Sequence, residues 1–172
     1  SGEKYGVHVS YIREHEPLGT AGAFYYLKDK IVSDYFLLVF GDVFFSIDIQ
    51  RMEKFYIDHQ ARAALFVHPN SHPADSDLFV LDENNKISKF DSKHNVRNYW
   101  FDNCVNAGFY ILGTEVCDLV ENPHKTDLEK DILMPLVNEG QAVYGYRSPE
   151  YIKDIGTVDR IHQTEKDVEN GF

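Results

Sequence analysis

The chain is poor in the features that would assign it quickly to several classes. It has only two cysteines, Cys104 and Cys117, and no spacing between them that suggests a metal knuckle or a nucleophile. Its apolar runs are short: "IVSDYFLLVF" is far below the length a bilayer span requires. Positive charge is scarce, with 17 Lys and Arg against 28 Asp and Glu and a formal net charge of -11. No cluster of basic residues offsets this, so nucleic acid and anionic membrane surfaces are excluded as partners on electrostatic grounds. There is no G-x-S-x-G elbow, which removes one common route to covalent catalysis. With no apolar leader visible and two thiols expected to be reduced, the cytoplasm is the expected compartment.

What the chain does contain is core material. Its 172 residues are 43% hydrophobic and include 12 Phe and 11 Tyr, enough for one globular domain spanning 1–172. Val7 to Tyr11 alternates like a strand, and Thr20 to Lys30 has helical spacing at Ala23, Phe24 and Leu27 after a glycine-rich entry. "YFLLVFGD" is a continuous apolar run ending at Gly41 and Asp42, the pattern of a strand buried on both faces of a largely parallel sheet. A helix follows over Ile49 to Ala61, capped by Asp48, and then a strand at Ala64 to His68.

From Leu78 to Phe90 two alternating runs flank "DENN", the signature of a hairpin. "VNAGFYIL" (105–112) is a further strand. Helices are expected over Thr114 to Glu121 and Leu128 to Glu139, then strands at Ala142 to Arg147 and Tyr151 to Lys153 and a polar helix from Val158. The alternation of strands and helices calls for an α/β domain with helices on both faces of the sheet.

Several residues carry chemistry in this arrangement. Asp42 and Asp154 each close a strand, where α/β proteins bind ligands. Two such carboxylates suit a hydrated Mg²⁺ held between protein and phosphates, although each alone also reads as a turn or capping residue. In "EPLGTAGA", Gly19 and Gly22 permit close approach of a flat ligand, or equally a tight helix entry. Asn106, Ala107 and Gly108 leave a small-residue gap in a bulky strand, which signals a bulge, a ligand or a packed backbone. Lys93 and Lys130 are candidates to meet phosphate. His68 and His72 have zinc-helix spacing, but Pro69 and Pro73 make their segment a loop. "NYWF" (98–101) suits core packing better than a sugar platform.

Taken in order, "EPLGTAGA", "FGD", "VNAGFYIL", "LEKDILMPLV" and "YIKDIGTVDR" resemble the sugar-1-phosphate nucleotidyltransferases, and most of all the mannose-1-phosphate and D-glycero-D-manno-heptose-1-phosphate guanylyltransferases. The resemblance runs across nearly the whole chain. It implies a Rossmann-like three-layer α/β/α fold with a mixed, mostly parallel sheet. It also implies that the chain is the C-terminal part of a catalytic domain, truncated N-terminally, because the family's G-G-x-G-T-R-L phosphate loop and P-K-P lysine motif do not occur here.

On this resemblance Asp42 and Asp154 would hold Mg²⁺, Gly19 and Thr20 would line the nucleotide base pocket, and Asn106, Gly108 and Glu129 would face the sugar. Lys93 would approach the sugar phosphate, with Ser92 and His94 standing where the family has Glu and Pro. The implied reaction joins a nucleoside triphosphate, GTP by preference, to a sugar 1-phosphate, with release of pyrophosphate, in surface polysaccharide synthesis. The fragment alone is expected to be inactive. A non-catalytic nucleotide- or sugar-binding module and a glycosyltransferase of related fold are the alternatives, and a homo-oligomer is left open.

Overall fold

The computed structural model describes residues 2–172. In chain order its strands are β1 (Tyr35–Val39), β2 (Val43–Ser46), β3 (Ala63–His68), β4 (Leu78–Leu81), β5 (Ile87–Asp91), β6 (Val105–Gly113), β7 (Val143–Arg147) and β8 (Tyr151–Asp154). Its α-helices are α1 (Phe24–Leu27), α2 (Ile49–Asp58), α3 (Met134–Asn138) and α4 (Val158–Glu169). The main sheet has the order β1-β6-β3-β7, and β2-β8 and β4-β5 form separate two-stranded ribbons.

Side chains alternate across β3 and β6, and this builds a core on each face of the main sheet. Ala63, Leu65, Val67, Tyr110 and Leu112 point to one side, where they meet Phe24, Val116, Leu128, Leu133 and the hairpin residues Phe79 and Ile87. Ala64, Phe66, Phe109 and Ile111 point to the other, against Met52 and Tyr56 of α2. The α2 residues lie four apart, so one helical face is committed to the sheet. Asp48 starts that helix as expected, its carboxylate accepting the Arg51 N–H at 3.0 Å. The result is an α/β domain with a mixed sheet between two covered faces.

Strand direction departs from the expected mostly parallel sheet. β6 runs antiparallel to both β1 and β3, and among the described residues only β3 and β7 pair in parallel. A central antiparallel strand covered on both faces shows the same unbroken apolar run as a parallel one, so burial alone did not reveal direction. β1 is corrected too: it lies at the sheet's edge and is half-buried, with Leu37 exposed.

Val7 to Tyr11 is not a strand. No strand lies beside it among the described residues, and Val7, Val9 and Tyr11 are exposed. Alternation stabilises a strand only where a neighbour takes its backbone groups.

The helix expected over Thr20 to Lys30 is α-helical only at Phe24–Leu27. The one at Thr114–Leu119 is a 3₁₀ segment. Leu128–Leu133 forms a π-type turn that runs into α3. Pro135 has no N–H to return to the Asp131 carbonyl and its ring crowds that group, which accounts for the wider turn ahead of it. The hairpin β4-β5, the strand β7 and the helix α4 fall where the sequence placed them.

Candidate active site

The strand-end acids come together through the β2-β8 ribbon. Val43 pairs with Asp154, and the Ile155 N–H donates to the Asp42 carbonyl at 2.7 Å, so the two aspartates leave one end of the ribbon side by side. Their carboxylates converge on Gly156. A Cβ there would lie 3.1 Å from Asp154 Oδ1 and 3.2 Å from Asp42 Oδ2. Only a residue without a side chain leaves the space between them open.

That space opens into a cleft of about 690 Å³, whose lining includes Asp42, Lys93, Asn106, Gly108, Glu129 and Asp154. With Lys93, the cations Lys153 and Arg160 also line it, three basic side chains among five acidic ones. Arg160 Nη1 forms an ion pair with Asp154 Oδ2 at 2.8 Å, and the Gly156 N–H donates to Oδ1 at 2.7 Å. Lys153 is held at 2.7 Å by Asp167 of α4. Bonds from Lys153, Gln163 and Tyr151 bring the Asp167 carboxyl down to about 2.

The β6 gap is a bulge. Leu65 pairs with Tyr110 but Val67 with Asn106, so β6 carries extra residues at this point. Gly108 adopts φ +72°, and a Cβ there would meet Phe40 Cδ2 at 2.9 Å and Val43 Cγ2 at 3.2 Å. The bulge turns the Asn106 side chain toward Glu129. The Asn106 amide donates to Glu129 Oε1 at 2.5 Å and to the Tyr110 hydroxyl, while its carbonyl oxygen accepts the Gly108 N–H at 3.1 Å.

Glu129 is raised above the ordinary carboxyl range, chiefly by burial and further by Asp127 and Asp77; bonds from Asn106 and Tyr110 oppose the rise. Burial also drives the Tyr110 hydroxyl well up, so it remains a donor. Its bond to Glu129 Oε1 measures 3.4 Å, and Oε2 has no donor among the described residues. His68, on the cleft wall, is lowered by burial and is neutral at pH 7.

Gly19 and Thr20 lie outside this cleft. Gly19, at φ +78°, abuts the Thr126 carbonyl, and the Thr20 hydroxyl accepts the Leu128 N–H at 2.8 Å. The loop therefore braces the segment that presents Glu129. Lys130 is not in the lining. Burial raises the Cys104 thiol to about 11 and the Cys117 thiol to about 12, so both stay protonated at neutral pH. Among the described residues no three His, Cys, Asp or Glu side chains gather as a metal cage, and no helix is long and apolar enough to cross a membrane.

Residues 1–171 match the model of the nucleotidyl transferase family. The chain belongs to that family. Relatives of this nucleotidyl transferase chain include a probable mannose-1-phosphate guanylyltransferase of Arabidopsis thaliana, 29% identical over 88% of this chain and 41% of its own length. Another is the mannose-1-phosphate guanylyltransferase of Mycobacterium tuberculosis, 24% identical over 99% of this chain and 47% of its own. The chain thus spans less than half the length of these curated relatives.

The same fold occurs in HddC from Yersinia pseudotuberculosis, with a TM-score of 0.69 at 19% identity over 90% of this chain and 64% of that one. It also occurs in a putative glucose-1-phosphate thymidylyltransferase from Bacillus anthracis, with a TM-score of 0.76 at 16% identity over 96% of this chain and 67% of that one.

Arg160 and Tyr110 escaped the sequence reading of this nucleotidyl transferase. Arg160 lies one turn into the helix after "DIGT", where an exposed charge is the ordinary expectation. Tyr110 sits inside an apolar strand and looks like core.

Proposed function

We propose that the natural protein containing this chain transfers a nucleotidyl group from a nucleoside triphosphate to a sugar 1-phosphate, releasing pyrophosphate. The observation that carries this reading is the convergence of Asp42 and Asp154 on Gly156 beside a cleft that also holds Lys93 and the half-buried Glu129. GTP and a mannose- or heptose-type sugar 1-phosphate are the preferred substrates, on the strength of the guanylyltransferase relatives.

The donor set fits Mg²⁺. Two carboxylates with open space between them, and among the described residues no His or Cys completing a cage, suit an ion that keeps water and takes its remaining oxygens from phosphates. Asp42 and Asp154 would hold it, and when bound it supplies charge neutralisation at the reacting phosphates.

The chain's own groups do the rest. The Lys93 ammonium offsets the charge of the sugar phosphate, and the free Oε2 of Glu129 accepts from a sugar hydroxyl. Asn106, its polar atoms already engaged, orients Glu129 more than it touches the sugar. Arg160 beside Asp154 places a second cation near the pyrophosphate that departs as the sugar-phosphate oxygen bonds to the α-phosphorus. Alignment and charge placement, without a covalent intermediate, are the main requirements of such a transfer. In this reading Gly19 and Thr20, which lie outside the cleft, would line a base pocket separate from it.

Asp42→Asn and Asp154→Asn in the full-length protein should each lower Mg²⁺-dependent pyrophosphate release from GTP and mannose 1-phosphate by about a hundredfold or more. Near-normal turnover in both variants would remove these residues from the site. Release of free nucleoside diphosphate without pyrophosphate would instead point to a glycosyltransferase.

A further inference from the structure

We propose that Arg97, which does not line the cleft, is a positioning residue that fixes the wall carrying Lys93; this rests on the reaction proposed above. The β4-β5 ribbon stops at the pair Leu78 and Asp91, and the segments leaving it, 70–77 and 92–97, both contribute to that wall. Short loops at an open ribbon end have no ladder to hold them.

Here one guanidinium, 5% exposed, replaces that ladder. Arg97 Nε donates to Asp91 Oδ2 at 2.9 Å. Nη1 reaches the Pro73 carbonyl at 2.9 Å and the Ala74 carbonyl at 3.1 Å. Nη2 reaches the carbonyls of Ser76 and Asp91, both at 2.7 Å.

Asp91 distributes the same constraint to the other loop. Its Oδ1 accepts the Asn95 amide at 2.9 Å and its Oδ2 the Tyr99 hydroxyl at 2.8 Å. The Asn95 N–H closes on the Ser92 carbonyl at 2.9 Å, forming a turn with Lys93 inside it. The Lys93 N–H in turn donates to Asp77 Oδ1 at 2.8 Å. Asp75, Ser76, Asp77 and Lys93 all line the cleft: Arg97 holds the carbonyls on either side of Asp75, and Asp91 holds the Lys93 turn through Asn95.

A buried ion pair is a poor source of net stability, because desolvation cancels much of the attraction. Its effect here is geometric. A planar fork satisfies one carboxylate and four carbonyls together, which a lysine ammonium with three donors cannot do.

The test uses Arg97→Lys in the full-length protein, read in two ways. Steady-state pyrophosphate release should show the KM for mannose 1-phosphate rising about tenfold or more, with the KM for GTP changed less than about twofold. Hydrogen exchange, which needs no turnover, should show faster exchange at residues 73–77 and 92–95 and unchanged exchange in β3 and β6.

Asn95→Ala, which loosens only the Lys93 turn at an exposed position, should produce a smaller shift in the same direction. A parallel rise in both KM values, unchanged exchange in the two loops, or loosening of the whole sheet would overturn the proposal. If the unaltered protein releases no pyrophosphate, the proposed reaction fails, while the exchange pattern still decides whether Arg97 holds the two loops.

Discussion

Gly108 offers a separable measurement of what the β6 bulge contributes. Replacing it with Ala imposes two costs. The backbone sits at φ +72°, a left-handed conformation that costs an L-residue about 1–2 kcal/mol. The new Cβ would also lie 2.9 Å from Phe40 and 3.2 Å from Val43, and overpacking of that kind costs about 1–3 kcal/mol.

Gly140 isolates the first cost, since it has φ +73° and nothing within 4 Å of its would-be Cβ. Gly108→Ala should therefore destabilise by about 1–3 kcal/mol more than Gly140→Ala, a gap of roughly 2–12 °C in Tm for a domain of this size. Thermal melts followed by far-UV circular dichroism would measure it. Phe40 and Val43 flank the turn bearing Asp42, so Gly108→Ala should also lower pyrophosphate release, while Gly140→Ala leaves it near normal. If the two variants melt together, the close approach of Phe40 to the bulge is not a real constraint and the reasoning fails.

Glu129 makes a pH prediction independent of turnover. Its folded-state pKa is raised, so its contribution to stability is fully present below the unfolded value and is lost as pH rises through the folded one. Measured by urea unfolding, the protein should gain stability relative to its Glu129→Gln variant as pH falls from 7 toward 4; a difference flat in pH would refute it. Phe109 is fully buried with Phe45 at 4.8 Å, and Phe109→Ala should cost about 3–5 kcal/mol in the same assay. A loss below about 1 kcal/mol would mean that the core against α2 is loosely packed.

Much of the fold was legible because burial writes itself into periodicity. Ala63–His68, Val105–Gly113 and the hairpin at Leu78–Asp91 were all visible as apolar or alternating runs. Direction was not, because β6 shows the same hydrophobic run whichever way its neighbours point. Val7 to Tyr11 misled for a related reason: alternation records a preference, and pairing needs a partner.

At the site, Asp42 and Asp154 were readable as acids at strand ends. Gly156 was not, since its importance is an empty volume between two side chains remote in sequence. Arg97 and Tyr110 depend on where loops and strands cross, and residue type alone carries no trace of that.

The ribbon that presents the two aspartates also sets an order of events in folding. Asp42 precedes Asp154 by more than a hundred residues, so the pair cannot assemble on a ribosome until β8 has been made. Until then β2, with Val43, Phe44 and Phe45, waits as an unpaired apolar edge, the kind of segment through which nascent chains associate. The end of the cleft that carries Asp42 and Asp154 forms only after β8, and a stall in synthesis before residue 151 would leave β2 open to aggregation.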